Sequence, residues 1–232
     1  MTLRLSEMYT SVQGEGQHFG KPTIFVRFAG CNMRCPGWPC DTQHAIQPAI
    51  WYKEMTKHSS MSLFQAVIEE TKENNAYHVC LTGGEPFMQP TVELEDFAHE
   101  LWASPEYSTE VFTNGSYELP EWALEDCDIM MDWKLQGSGE SGSYRDQRFR
   151  NLPYLKSSDG IKFVVKHSRD LDEALELTER FKNITKAELW VGAVWGEITD
   201  AHIVNYMKQT GAPWRLNVQV HKFIWPAEAR RT

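Results

Sequence analysis

The chain has 232 residues, 41% hydrophobic and 12% aromatic, enough to bury a substantial core within the size of one α/β unit. Its 32 acidic residues outnumber 23 basic ones, and the resulting net charge of −9 argues against a general nucleic-acid binder. The start, Met1 to Glu7, has no apolar signal core and no run is long enough to cross a bilayer, so we expect a cytoplasmic protein with no direct nucleic-acid or membrane partner. In that reducing setting the five cysteines are ligands or buried thiols rather than disulfides.

Along the chain, Thr23–Ala29 is rich in β-branched and aromatic residues and reads as a strand. A loop carrying Cys31, Cys35 and Cys40 follows. Ser62 with Gln65 three residues on forms a capping box, after which Leu63, Phe64, Val67 and Ile68 recur at helical spacing. Tyr77–Leu81 is a short apolar strand leading into Thr82-Gly83-Gly84-Glu85-Pro86. A helix over Thr91–Ala103 precedes a strand at Glu110–Thr113, which ends in Asn114-Gly115, and a strand at Asp128–Trp133, which ends in Lys134. Gly137–Asn151, rich in Gly, Ser and charge, predicts a mobile surface loop. Strand Ile161–Val165, helix Asp170–Phe181, strand Glu188–Val191, helix Thr199–Gln209 and strand Leu216–Val220 complete the series, with Gly211 and Pro213 ending the last helix. This alternation predicts an α/β fold with a mainly parallel sheet, residues 1–232 forming one domain. Chemistry in such sheets collects beyond the C-terminal strand ends, so Gly-Gly-Glu-Pro, Thr-Asn-Gly and Asp-Trp-Lys should meet on one rim.

Three thiolates on one short loop can grip three corners of an iron cube and leave the fourth iron open to a ligand. The same three with His44 equally make an ordinary zinc set, so the cysteines alone leave both readings open. Cys80 and Cys127 lie in or beside apolar strands and read as small buried hydrophobes.

The loop resembles the radical S-adenosylmethionine (SAM) signature, three Cys at C-x3-C-x2-C with an aromatic before the last. Here the pattern is C-x3-C-x4-C, with Pro39 before Cys40 and Trp38 in the aromatic's packing place. Over nearly its whole length the chain is similar to the 7-carboxy-7-deazaguanine synthase family. The matching pieces are the run from Tyr9 to Gly16, Phe25-Val26-Arg27, Cys40-Asp41-Thr42, the Gly-Gly-Glu-Pro loop, Thr113-Asn114-Gly115, Asp132-Trp133-Lys134 and Gln219-Val220-His221-Lys222. The resemblance implies a radical SAM partial (β/α) barrel, usually a homodimer, served by an electron donor such as flavodoxin or ferredoxin. It implies a [4Fe–4S] cluster on Cys31, Cys35 and Cys40, with SAM used catalytically and Mg²⁺ met by the Thr42 hydroxyl. The implied reaction is radical ring contraction of 6-carboxy-5,6,7,8-tetrahydropterin with loss of ammonia, in deazapurine biosynthesis.

Residue roles carry over by motif. SAM would meet Gly83, Gly84, Glu85, Thr113, Asn114, Asp132, Trp133 and Lys134, with the two glycines admitting close backbone approach and Glu85 accepting from its ammonium. The pterin would meet Gln13, Gly14, Glu15, Arg27, Thr82, Gln219 and His221, with Arg27 gripping its carboxylate in two prongs. Local chemistry leaves simpler readings open: a plain turn at Thr113-Asn114-Gly115, a surface ion pair of Asp132 with Lys134, and a cap at Thr42. Two rival functions stand beside this one: a glycyl-radical-enzyme activase of the same superfamily, which would share the cysteines, Gly-Gly-Glu-Pro and Asn-Gly, and a zinc-stabilised interaction module without catalysis.

Overall fold

The structure is a computed structural model describing residues 1–37 and 40–226, the side chain of residue 51 excepted. Trp38, Pro39 and the Arg230-Arg231 pair lie outside the described residues. The elements in chain order are β1 (Leu3–Val12), β2 (Pro22–Phe28), α1 (Gln43–Ile46), α2 (Pro48–Glu54), β3 (Thr56–His58), α3 (Ser60–Asn74), β4 (His78–Gly83), α4 (Thr91–Trp102), β5 (Ser108–Thr113), α5 (Glu121–Asp126), β6 (Cys127–Trp133), α6 (Arg145–Asn151), β7 (Gly160–Val165), α7 (Ser168–Phe181), β8 (Glu188–Ala193), α8 (Asp200–Thr210), β9 (Arg215–Leu216) and α9 (His221–Ile224).

The strands form one sheet in the order β3-β1-β2-β4-β5-β6-β7-β8-β9. Every pairing from β2 to β9 is parallel, while β1 pairs antiparallel with β2 and β3. The strand order leaves the sheet open, as a partial barrel is. Its convex face packs on α3, α4 and α7 through residues spaced two apart: Ile24, Val26 and Phe28, then Val79 and Leu81, then Ile129, Met131 and Trp133, then Ile161, Phe163 and Val165. Strand alternation turns the intervening residues to the concave side, which is the feature that builds the site.

Three expectations need correction, and one strand lies outside the predicted series. The helix after β3 starts three residues early, because Ser59 rather than Ser62 is its cap, its side chain accepting from Ser62 N at 3.1 Å. The polar opening stretch forms a ten-residue strand, β1. The last strand stops at Leu216, so His221 and Lys222 stand on the short helix α9. Residues 137–151 are folded: α6 occupies their second half, with Arg148 and Asn151 buried. Asn151 donates to the carbonyls of Gly115 and Tyr117 at 3.2 and 2.9 Å, and the Arg148 guanidinium stacks 5.4 Å from the Trp133 ring. A segment whose polar groups are so placed is not a free loop.

Candidate active site

The concave face and the loops at the C-terminal strand ends enclose a cavity of about 1070 Å³. A bulge in β1 helps make it polar. Leu5 pairs with Phe28 but Glu7 pairs with Arg27, so Ser6 is an extra residue. Leu3 and Leu5 therefore face the core, whereas Glu7 and Tyr9 face the cavity. Across the sheet they are joined by Arg27 on β2, Cys80 and Thr82 on β4, Phe112 on β5, Asp132 on β6 and Lys162 and Val164 on β7.

Cys31, Cys35 and Cys40 all line this cavity, half-buried on the loop after β2. Gly30 opens that loop at φ 100°, and Cys35 is left-handed at φ 44°, a conformation uncommon for a residue with a side chain. Burial pushes the Cys31 thiol up to about 11 despite the Met33 N–H it accepts from. Burial keeps that thiol protonated, and a bound metal would instead hold it as the thiolate. The loop is held from outside by the segment expected to be mobile. Gly37 N donates to Ser138 O at 3.0 Å and Arg34 N to Glu140 Oε1 at 2.9 Å, while Lys166 Nζ reaches Gly37 O at 2.6 Å. The donor set fits an iron–sulfur cluster with three protein ligands. His44, the fourth zinc ligand of the rival reading, instead sets Nε2 against Glu7 Oε1 at 2.9 Å.

The floor of the cavity is a chain of alternating charge. Lys162 Nζ lies 2.8 Å from Glu15 Oε2 and 3.0 Å from Asp132 Oδ1, and Asp132 Oδ2 accepts from Lys134 Nζ at 2.8 Å. Burial would raise the Glu15 pKa, but the Lys162 charge and a hydrogen bond from Gln219 overcome it and hold Glu15 at about 2. Asp132 is likewise held at about 2, its burial outweighed by Lys134 and Lys162. Both lysines stay charged: the carboxylates more than offset their desolvation and raise their pKa values. A second group joins Arg27 to Glu7 at 2.9 Å and to the Tyr9 hydroxyl at 3.4 Å. Two of the guanidinium's five N–H donors are thus used, and the remainder are left for a ligand.

Of the residues expected at the site, Gln13, Gly14, Glu15, Arg27, Cys31, Cys35, Cys40, Thr42, Thr82, Gly83, Gly84, Thr113, Asn114, Asp132, Lys134, Gln219 and His221 line the cavity. Two do not. Trp133 is fully buried on the convex face against Phe149 and Phe181, because alternation sends the middle residue of Asp-Trp-Lys the other way. Glu85 is fully buried too, accepting from Thr113 Oγ1 at 2.8 Å, Asn114 N at 2.7 Å and Phe87 N at 3.1 Å. It fastens the β4 loop to the end of β5. Its desolvation outweighs those donors and pushes its pKa to about 7.

The glycines before it also make close backbone contacts within the protein. A Cβ on Gly84 would stand 2.1 Å from Gly30 O, and one on Gly83 2.3 Å from Phe28 O, so the pair lets the β4 loop press against the root of the cysteine loop. Reasoning from motifs missed Glu7, Tyr9, Phe112, Lys162 and Trp195. Lys162 had a signal, since a lone lysine inside Ile-Lys-Phe-Val-Val is a charge directed to one face of a strand.

Residues 12–148 match the family described as a 4Fe-4S single cluster domain. A Clostridium acetobutylicum protein named 7-carboxy-7-deazaguanine synthase is 32% identical over 99% of this chain and 99% of its own length. One of the same name from Methanospirillum hungatei is 34% identical over 96% of this chain and 85% of its own. The crystal structure of QueE from Escherichia coli matches at a TM-score of 0.70 with 26% identity, covering 94% of each chain.

Proposed function

The chain belongs to the 7-carboxy-7-deazaguanine synthase family of radical SAM enzymes, and on that premise we propose how its own residues serve the ring contraction of 6-carboxy-5,6,7,8-tetrahydropterin. The observation that carries the reading is the opening of the three cysteines and the charged floor onto one cavity. A cluster held by Cys31, Cys35 and Cys40, with SAM on its open iron, supplies the electron transfer and hydrogen abstraction that protein side chains cannot.

The polypeptide binds, orients and excludes water. Gly83, Gly84, Thr113, Asn114, Asp132 and Lys134 surround the space next to the cysteines, where the polar groups of SAM would lie. Asp132 suits a ribose hydroxyl as acceptor, and Lys134 keeps that carboxylate ionised. Gln13, Gly14, Glu15, Arg27, Thr82, Gln219 and His221 would receive the pterin. Arg27 offers its remaining N–H donors to the substrate carboxylate, with Glu7 and Tyr9 fixing its fork. Glu15, kept ionised by Lys162, accepts from N–H donors on the pterin edge. Thr42 would offer its hydroxyl to Mg²⁺, which favours oxygen ligands.

The unbroken sheet supports residues 1–232 working as one unit. A homodimer, a flavodoxin- or ferredoxin-type reductant and a cytoplasmic setting complete the proposal and rest on the family resemblance. The test is anaerobic incubation of the reconstituted enzyme with carboxytetrahydropterin, SAM, Mg²⁺ and reductant. Ammonia and deazapurine absorbance should appear together; neither product from a cluster-replete sample would overturn the proposal.

A further inference from the structure

At the opposite end of the sheet from the cysteines lies a cluster that this chemistry leaves unused. One ring nitrogen each of His18 and His78 and a carboxylate oxygen of Glu110 fall within 4.8 Å of one another. His18 comes from the turn between β1 and β2, His78 from the start of β4 and Glu110 from β5. The two imidazole centroids are 4.2 Å apart, and His78 Nε2 is 3.5 Å from Glu110 Oε1. His78 and Glu110 are each only 1% exposed, yet among the described residues His78 Nε2 and Glu110 Oε2 have no hydrogen-bond partner. Two such atoms left side by side in the interior are costly, and a cation accepting a lone pair from each would remove the cost.

Each imidazole also has a polar contact outside the three residues. His18 Nε2 lies 2.8 Å from Asp128 Oδ2, and His78 Nδ1 lies 2.9 Å from Ser108 Oγ. Metal-bound histidines ordinarily show this outer contact, which sets the tautomer and the ring orientation. Lys21 Nζ donates to the same Ser108 hydroxyl at 2.9 Å and stands 3.4 Å from His78 Nδ1. With Ser108 accepting from His78 Nδ1–H, the Nε2 lone pair faces the cluster.

We propose that His18, His78 and Glu110 bind a divalent transition-metal ion of the zinc class at the base of the sheet. Two imidazoles and one carboxylate suit zinc, cobalt or nickel, whereas magnesium and calcium favour oxygen. The ion enters past His18, whose side chain is 21% exposed, and keeps water in its fourth position. Its role is positional. Glu110 also accepts from Gln13 Nε2, so an ion fixing that carboxylate fixes a side chain at the cavity floor and ties the β1–β2 turn to β4 and β5.

The test uses the cluster-loaded full chain, so that the three cysteines are already occupied. Zinc is added anaerobically, excess is removed by desalting, and zinc, iron and sulfide are measured on the same sample. One zinc per chain with iron and sulfide unchanged is expected, with zinc raising the melting temperature. His18→Ala, at a partly exposed turn, should keep the parent's circular dichroism and cluster absorption, weaken zinc at least tenfold by calorimetry and abolish the melting shift. No zinc uptake by the parent, uptake matched by iron loss, or affinity in His18→Ala within tenfold of the parent would each overturn the site. None of these outcomes depends on turnover, so the site can fail while the synthase reading stands.

Discussion

Replacing Lys162 by Met probes the charged floor while nearly conserving volume. Lys162 is the cation between Glu15 and Asp132, at 2.8 and 3.0 Å. The interval between an ordinary 4.5 and about 2 for Glu15 corresponds to about 3 kcal/mol at pH 7. Asp132 keeps Lys134, so most of the loss falls on Glu15. Removing one member of a buried pair typically costs about 3–5 kcal/mol, in agreement with that figure.

The sign with pH follows. In the parent the Glu15 contribution is complete above pH 4.5 and lost only as pH falls toward about 2. In the variant burial and the Asp132 charge are opposed only by the Gln219 hydrogen bond, and they lift Glu15 above its unfolded value. The variant's deficit should therefore be greatest near pH 8 and shrink toward pH 5, as Glu15 takes up a proton. Thermal unfolding of parent and variant at both pH values reads this, and about 10 °C is expected at pH 8. A deficit below about 2 °C, or one that does not shrink on acidification, would show that the floor is not held by this charge balance.

Cys35→Ala should remove most iron and sulfide from anaerobically purified protein and bleach its visible absorption, leaving the far-ultraviolet circular dichroism in place. Gly84→Ala drives a Cβ to 2.1 Å from Gly30 O, so the cysteine loop must move by about 1 Å; we expect about 1–3 kcal/mol of destabilisation and reduced iron content. Glu140→Ala removes the acceptor for Arg34 N and should quicken cluster loss under chelator severalfold, with little change in melting temperature. Glu85 has a folded pKa of about 7, above its unfolded value, so folding takes up a proton between about pH 4.5 and 7 and stability falls by up to about 3 kcal/mol as pH rises through that window. Glu85→Gln should flatten that slope in melts run from pH 5 to 8.

Much of the site could be read from the residues because its parts are contiguous. The cysteines share one loop, and Gly-Gly-Glu-Pro, Thr-Asn-Gly and Asp-Trp-Lys each follow a recognisable apolar run. What motifs could not supply is the face each residue takes. Asp132-Trp133-Lys134 reads as a unit, yet alternation splits it, with Asp132 and Lys134 in the cavity and Trp133 in the core. Glu85 looks like an exposed loop acid, but donors 28 and 29 residues on, at Thr113 and Asn114, draw it inside.

The sequence by itself determined the main β-α alternation, the parallel α/β class and the grouping of three cysteines on one loop, because local hydrophobic period and short motifs encode these. Only the tertiary structure decided that β1 belongs to the sheet, since its polar residues make sense only when the Ser6 bulge turns Glu7 and Tyr9 toward the cavity. The same holds for residues 137–151, whose buried arginine and asparagine find their partners at Gly115, Tyr117 and Trp133, and for Lys162, whose charge is tolerable only between Glu15 and Asp132. The physical reason is common to all three. The cost of burying a polar group depends on what meets it, and those partners lie far away along the chain.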